Sequence, residues 1–527
     1  IRNHDRNTCT AKSRTTTGAV FNGEYVWHQA LSIIFISVFM DGGPDSGGGW
    51  FIPCGVYHSA AASLECVVNV PDTKSNRSNP GTNFQCGSGK GAASIRPPCY
   101  PATPRLLLNK IGRDLVKLTR EDAMFQRISN SMKMAWFSFA VAVSFMSGIV
   151  AADSRKPNII YIMADDMGYG DASPFGLERS RIPTPGIEQL AQQGMRFTNA
   201  HTVASVCVPS RIAIMTGRYP WRVQGARQNG PWGFLNPRIP TDHFTLGKML
   251  RSAGYTTGYV GKWHLGTKMQ TNDGKNQGLT NVDYTKPLTV SPMDYGFDYS
   301  FILPGSLDMF PYVFARNGQF VGKVNKQRGW SAFNRIGPTE ENFEDYKVLD
   351  TFATEVEQFI ARQAASVKKG TPFFLYLALT SPHTPVSPHP KFQGATKLGI
   401  YGDFVYESDH CVVRTLRALK QHGIDENTMV IFTSDHGPAA YAGLVAKATY
   451  NNVKSIEKLG HFPSGPFRGY KFSIYEGGLR VPYAVRWPAV VKPGSSSDSL
   501  IGLHDLLATV AEVTGTDLAA DQGVDSI

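Results

Sequence analysis

From Pro157 onward, short apolar runs alternate with longer stretches whose apolar residues recur at helical spacing. Residues 158–163, 256–260, 373–379 and 429–432 read as buried strands, because short apolar runs bounded by turn residues suit a sheet covered on both faces. Residues 184–193, 246–253, 350–367 and 401–422 read as helices, and 502–515 as a further one. Strands alternating with helices predict an α/β fold with a mixed, mostly parallel sheet flanked by helices on both faces. Titratable residues follow each strand in turn: Asp165-Asp166, Lys262-Trp263-His264, Pro382-His383 and Asp435-His436. Ligands in open α/β sheets sit beyond the carboxyl ends of the strands, so these groups are expected to converge on one site. Cys207 joins them at the start of a helix, after a loop over 198–206. The polar stretches 267–292, 316–342 and 440–466 exceed the usual length of plain connections and are expected to frame its mouth.

Upstream the pattern is different. Residues 1–131 show no sustained strand or helix period and include the glycine-rich run 42–49. Then Met132-Lys133-Met134, an apolar run over 135–150 and the small residues Ala151-Ala152 have the order of a secretory signal peptide, placed internally. A membrane span needs about 20 apolar residues, so this run predicts export, to the periplasm or outside the cell, with no stable membrane span. If translation starts at Met132 or Met134, residues 1–131 are an upstream extension never selected to fold; a real accessory domain is the alternative. The expected organisation is extension 1–131, signal peptide 132–152 and catalytic domain 153–527.

The whole chain of 527 residues is 42% hydrophobic and 18% charged, the balance of a folded globular protein. Its net charge of +11 is spread out: residues 1–131 carry fourteen Lys/Arg against nine Asp/Glu, and no basic block stands out. A nucleic-acid partner is therefore not expected; the mild surplus reads as a solvated basic surface and is also compatible with anionic substrates. Five of the seven cysteines (Cys9, Cys54, Cys66, Cys86 and Cys99) precede residue 132, which leaves Cys207 and Cys411. Their spacing matches no zinc pattern.

Cys207 opens the run Cys207-Val208-Pro209-Ser210-Arg211, with Met215-Thr216-Gly217-Arg218 a turn further on. This spelling resembles the signature of type I, arylsulfatase-like sulfatases, whose cysteine is oxidised after translation to Cα-formylglycine. A thiol is a poor nucleophile for a sulfate ester, whereas a hydrated aldehyde offers one hydroxyl to attack sulfur and a second to expel the product. From about Pro157 the resemblance implies an alkaline-phosphatase-like fold. Such proteins continue into a smaller C-terminal subdomain, so the chain is expected to be truncated at that end.

The resemblance also implies roles for particular residues. Asp165, Asp166, Asp435, His436 and the group at Cys207 would hold one divalent cation, calcium first and magnesium second. His436 departs from the asparagine found in many relatives, and an imidazole is a softer ligand. Arg211, one helical turn after Cys207, would orient the formylglycine diol. Lys262 and Lys471 would neutralise the sulfuryl oxygens, His383 would protonate the leaving alcohol and His264 would take a proton in the second half-reaction. Ser306, in Pro304-Gly305-Ser306-Leu307-Asp308, resembles a pocket serine. Substrates would be sulfated carbohydrates or aryl sulfates, and a formylglycine-generating enzyme would be needed for maturation. Two rivals remain: a phosphatase or phosphodiesterase on the same scaffold, and an inactive sulfate-binding module. The sequence does not reveal the oligomeric state.

Overall fold

In the run Asn158–Asp165 every residue is buried, as a central strand with helices on both sides requires. The computed structural model describes residues 156–225, 236–329, 334–442 and 453–527. The expected upstream extension and signal peptide lie outside the described residues.

The ten strands of the main sheet, in chain order, are β1 (Asn158–Asp165), β2 (Met195–Phe197), β3 (Thr256–Lys262), β4 (Tyr299–Leu303), β5 (Ala315–Arg316), β6 (Gln319–Phe320), β7 (Phe373–Pro382), β8 (Thr428–Ser434), β9 (Tyr483–Arg486) and β10 (Ser495–Ser497). Their spatial order is β10-β2-β9-β8-β1-β7-β3-β4-β5-β6. The centre, β8-β1-β7-β3-β4, is parallel throughout, and β9 and β5 turn antiparallel on either side of it. The order jumps across the sheet because parallel neighbours need crossover connections, which the helices supply.

The principal helices are α1 (Pro185–Gln193), α2 (Cys207–Thr216), α3 (Leu246–Ser252), α4 (Val348–Lys368), α5 (Gly399–His422) and α6 (Leu506–Thr514). α4 buries Val348, Phe352, Val356, Phe359 and Ile360, a stripe at helical spacing that covers the sheet. α5 does the same with Tyr401, Phe404, Val405, Val412 and Leu419, and ends at Gly423, whose φ of 63° is the left-handed conformation that glycine adopts without strain. Helix α1 borrows its N-terminal cap from α5. Gly186 N and Ile187 N both donate to the Asp409 carboxylate, at 2.8 Å each, which satisfies two orphan donors of the first turn.

Register brings the strand ends level. Ala164 faces Ser434 and Asp165 faces Pro382, while Gly261 faces Ala378 and Lys262 faces Leu303. Gly261 has a φ of 124°, and a Cβ there would lie 1.8 Å from the Ala378 carbonyl oxygen, so only glycine lets β3 approach β7 this closely. One edge of the sheet therefore presents Asp165, Lys262, His383 and Asp435 together.

The stretch 316–342, expected to frame the mouth of the site, contains a two-stranded hairpin, Val324–Arg328 against Gly337–Glu340. Among the described residues, no helix is long and apolar enough to cross a membrane.

Candidate active site

Cys207 is the first residue of α2, so its side chain sits at the positive end of the helix, facing the strand ends. Its Sγ lies 3.3 Å from His436 Nε2, 3.4 Å from Lys471 Nζ, 3.6 Å from Asp165 Oδ1, and 4.0 Å from both Asp166 Oδ1 and Lys262 Nζ. Groups from β1, β3, the turn after β8 and the distant segment at 471 thus surround one atom. Burial, and then Asp165, push the thiol well above its ordinary pKa, so an unmodified Cys207 stays protonated and unreactive.

Around it, carboxylates and cations alternate. Asp165 Oδ2 takes Lys262 Nζ at 2.5 Å and Arg211 Nη2 at 2.7 Å. Arg211 also reaches Asp435 Oδ2 at 3.4 Å and donates through Nη1 to the Lys262 carbonyl at 3.0 Å. Lys471 Nζ bridges both oxygens of Asp166 at 2.9 and 3.0 Å. All three acids are fully buried. Burial alone raises a carboxyl pKa, and for Asp165 and Asp166 the outcome depends on what stands beside each. For Asp165 the burial penalty is outweighed by Lys262 and Arg211, and its carboxyl is held well below the usual range. For Asp166 burial wins over Lys471, with Asp165 and Asp435 adding repulsion, and its carboxyl rises.

His436 decides whether this cluster suits a cation. Its Nδ1 lies 2.8 Å from the Gly437 carbonyl, which fixes the ring proton there and leaves a lone pair on Nε2. Burial lowers its pKa to about 4, so the ring is neutral. Nε2 lies 3.1 Å from Asp166 Oδ1 and 3.3 Å from Cys207 Sγ, so its lone pair faces the same cluster of acid and thiol groups. Ligand atoms of Asp165, Cys207, Asp435 and His436 all lie within 4.8 Å of one another, a spacing that suits one divalent cation. Three acid side chains face Arg211, Lys262 and Lys471, and an added divalent ion would make the pocket more positive, as an anionic substrate requires.

His383 lies on the other side of Asp166, its Nε2 3.7 Å from Asp166 Oδ2 and its Nδ1 2.6 Å from the Thr384 carbonyl. His264 is buried with neither ring nitrogen hydrogen-bonded, and burial, then Lys262 and Arg211, push its pKa well down. It does not continue β3 as an extended segment would. The strand ends at Lys262, and His264 has a φ of 54° while its N–H bonds to the Pro304 carbonyl. Asp166 (φ 65°) and Phe472 (φ 69°), which adjoins Lys471, share this left-handed backbone, strain of the kind that clusters at functional sites. Ser306 is fully buried and its Oγ has no partner.

The sulfatase family model matches residues 157–516. The chain belongs to the sulfatase family. Its relatives include an N-acetylgalactosamine-6-O-sulfatase of Bacteroides thetaiotaomicron, 35% identical over 71% of this chain and 76% of that protein. An arylsulfatase of Hemicentrotus pulcherrimus is 32% identical over 70% of this chain and 60% of its own length. Among solved structures, one from work on glycosaminoglycan metabolism by Bacteroides thetaiotaomicron has a TM-score of 0.60 at 34% identity, covering 71% of this chain and 80% of that one. The sulfatase is thus an enzyme that hydrolyses sulfate esters, on an alkaline-phosphatase-like α/β scaffold.

The sulfatase site contains groups that strand-end reasoning passed over. Asp308 is buried, with Oδ2 2.7 Å from Arg335 Nη1 and Oδ1 3.9 Å from His383 Nδ1. Its only signal was a position two residues beyond Ser306. Asp171, His461 and Tyr401 form a buried network under the loop that carries Asp166, and nothing in their spacing announces it.

Proposed function

We propose that this sulfatase is an exported enzyme that cleaves sulfate esters of carbohydrate or aryl alcohols through a Cα-formylglycine formed at Cys207. The observation that carries this reading is the position of Cys207 Sγ, within 4.0 Å of two carboxylates, two ammonium groups and the free nitrogen of His436. Export rests on the leader read over 132–152, with 1–131 an extension outside the native protein. Carbohydrate esters are favoured by the N-acetylgalactosamine-6-O-sulfatase relative.

Asp165, Asp166, Asp435 and His436 would hold one calcium ion, or magnesium as the alternative. When bound, the ion supplies a positive centre that lowers the pKa of a hydroxyl beside it and draws in a sulfate oxygen. The aldehyde hydrate at position 207, produced by a formylglycine-generating enzyme, supplies one hydroxyl to attack sulfur and another whose loss of a proton releases sulfate.

Arg211, held between Asp165 and Asp435 one helical turn from position 207, would orient the diol there. Lys262 and Lys471 place ammonium charge where the sulfuryl oxygens gather density, a preorganised arrangement that costs no rearrangement during reaction. His383 delivers a proton from Nε2 to the leaving oxygen. In the free cluster burial, Lys471 and Lys262 lower its pKa to about 3; an arriving sulfate anion offsets both ammonium charges and lets the ring take up the proton it will donate. His264, neutral and with both nitrogens open, accepts a proton in the second half-reaction. Ser306 Oγ would bond the same anion.

Parallel assays on 4-nitrophenyl sulfate and 4-nitrophenyl phosphate, with metal-stripped and calcium-restored protein, test the reading. Sulfate release that returns with calcium is expected. Preferential phosphate release would instead support the phosphatase alternative.

A further inference from the structure

Phe472 follows Lys471 and breaks two rules at once. Its φ of 69° lies in the left-handed region, an outlier for a bulky side chain, and the residue is 55% exposed. Either feature alone is ordinary, since single exposed apolar residues are common and functional loops carry strain. Together they describe a side chain that the fold neither buries nor accommodates easily. The local structure does not depend on the ring. Lys471 N donates to the Pro438 carbonyl at 2.9 Å, Phe472 N to the Ser205 carbonyl at 3.0 Å, and Ser205 Oγ to the Ser473 carbonyl at 2.7 Å. These bonds already stitch the segment to the loop before Cys207 and to the turn after β8.

The ring stands beside the pocket. Lys471 Nζ lies 5.6 Å from its centre and 3.4 Å from Cys207 Sγ, so a single ammonium group separates the ring from the reacting position. Tyr441, from the stretch 440–466 expected at the mouth, stacks beside Phe472 with ring centres 6.4 Å apart and planes 19° from parallel. Burial pushes the Tyr441 phenol up, Lys471 opposes it, and Asp166 and Cys207 add to it, which makes Tyr441 the inner member of the pair. Cys207, Asp165 and His436 are buried while Phe472 is exposed, so the two rings run from the sulfate position toward solvent.

We propose that Phe472, backed by Tyr441, is a specificity-determining residue, an aromatic ledge on which the ring of the leaving alcohol lies while Lys471 holds its sulfate. The inference rests on the proposed seating of the sulfate beside Cys207. A flat apolar ring face, whether of an aryl group or the C–H face of a sugar, is the partner that an exposed aromatic surface takes.

The test uses 4-nitrophenyl sulfate and N-acetylgalactosamine 6-sulfate as ring-bearing esters, with inorganic sulfate as a competitive inhibitor that has no ring. Glycine adopts left-handed backbone without strain, so Phe472→Gly should keep or raise Tm. It should raise KM for the ring esters about 5- to 50-fold with kcat within about threefold, while the Ki of inorganic sulfate stays within about twofold. Phe472→Trp should restore the lower KM, and the ester that responds more identifies which ring face fits the ledge better. Equal weakening of sulfate and of both esters would assign Phe472 to placing Lys471 and overturn the proposal. Unchanged KM on both esters would also overturn it, and a lower Tm in that case would make the ring a structural residue. Failure to hydrolyse any sulfate ester would remove the mechanism but not decide the ledge. Calorimetric binding of 4-nitrophenyl sulfate to Cys207→Ala, with and without Phe472→Gly, then decides it: a similar weakening supports the ledge, and equal affinities overturn it.

Discussion

Asp166 and Asp171 lie on the same loop after β1, and both are fully buried, yet their surroundings obey opposite rules. Asp171 is saturated: Oδ1 meets His461 Nε2 at 2.8 Å, and Oδ2 accepts from Gly168 N at 2.7 Å and Tyr401 OH at 2.8 Å. Asp166 has one clear donor, Lys471, and otherwise faces a lone pair of His436, a thiol and the distant edge of His383. A carboxylate that only holds a fold is finished by the fold. The one proposed to do chemistry is left incomplete, and the missing valence describes what would arrive. His264 and Ser306 extend that pattern around the pocket.

Substitutions on the two sides of this contrast should separate activity from stability. The largest effect is expected from Cys207→Ala, which removes the proposed nucleophile and should lower kcat by more than about 10⁴-fold with an unchanged melting temperature. Substantial residual sulfate release would break the contrast at its centre. Next, His383→Ala should slow sugar sulfates by about 10²- to 10⁴-fold but activated aryl sulfates far less, because only poor leaving groups need the proton. Equal losses on both would exclude a general acid at this position.

Metal removal should also act on the incomplete side. Chelation should abolish turnover, and calcium at about 100 times its Kd should restore it and stabilise the fold by about 2.7 kcal/mol, read as a rise in Tm. His436→Asn should shift preference further toward calcium over softer ions, which competition between metals would measure.

On the saturated side, Asp171→Ala strands the His461, Tyr401 and Gly168 donors and should cost about 2–4 kcal/mol in denaturant unfolding. Turnover per folded molecule should fall less than about tenfold, and a larger loss would mean that the loop beneath Asp166 is part of the catalytic apparatus. Smallest of all is a pH effect at the α1 cap. Burial lifts Asp409 to about 7 despite its two backbone donors. Between the ordinary carboxyl range and that value the native state holds a proton that the unfolded chain has lost, so stability falls as pH rises through this window. Asp409→Asn should flatten that slope in urea titrations across the window.

The sheet was legible in the sequence wherever burial was complete. The strands read over 158–163 and 373–379 appear as Asn158–Asp165 and Phe373–Pro382, longer at their carboxyl ends because polar residues there still pair with neighbours. Helices read over 350–367 and 401–422 match Val348–Lys368 and Gly399–His422, since a long apolar stripe leaves little ambiguity. Short outer strands such as Met195–Phe197 and, at the sheet edge, Ser495–Ser497 left no signal, being only partly buried and three residues long. In the site, residues at strand ends could be grouped because strand direction alone carries them to one edge. Lys471 comes after no strand, and only its resemblance to a family position brought it into the site. Asp308 was invisible, because its contact with Arg335 and its approach to His383 exist only once the fold has placed all three.

The group working at position 207 is, on this mechanism, no longer a thiol. Mass spectrometry of the tryptic peptide spanning residues 197–211, from protein purified out of cells that carry a formylglycine-generating enzyme, tests that claim most directly. The predicted result is a peptide that has lost its sulfur and reacts as an aldehyde, in protein that hydrolyses sulfate esters. An intact cysteine in that peptide, from a preparation with full sulfatase activity, would contradict it.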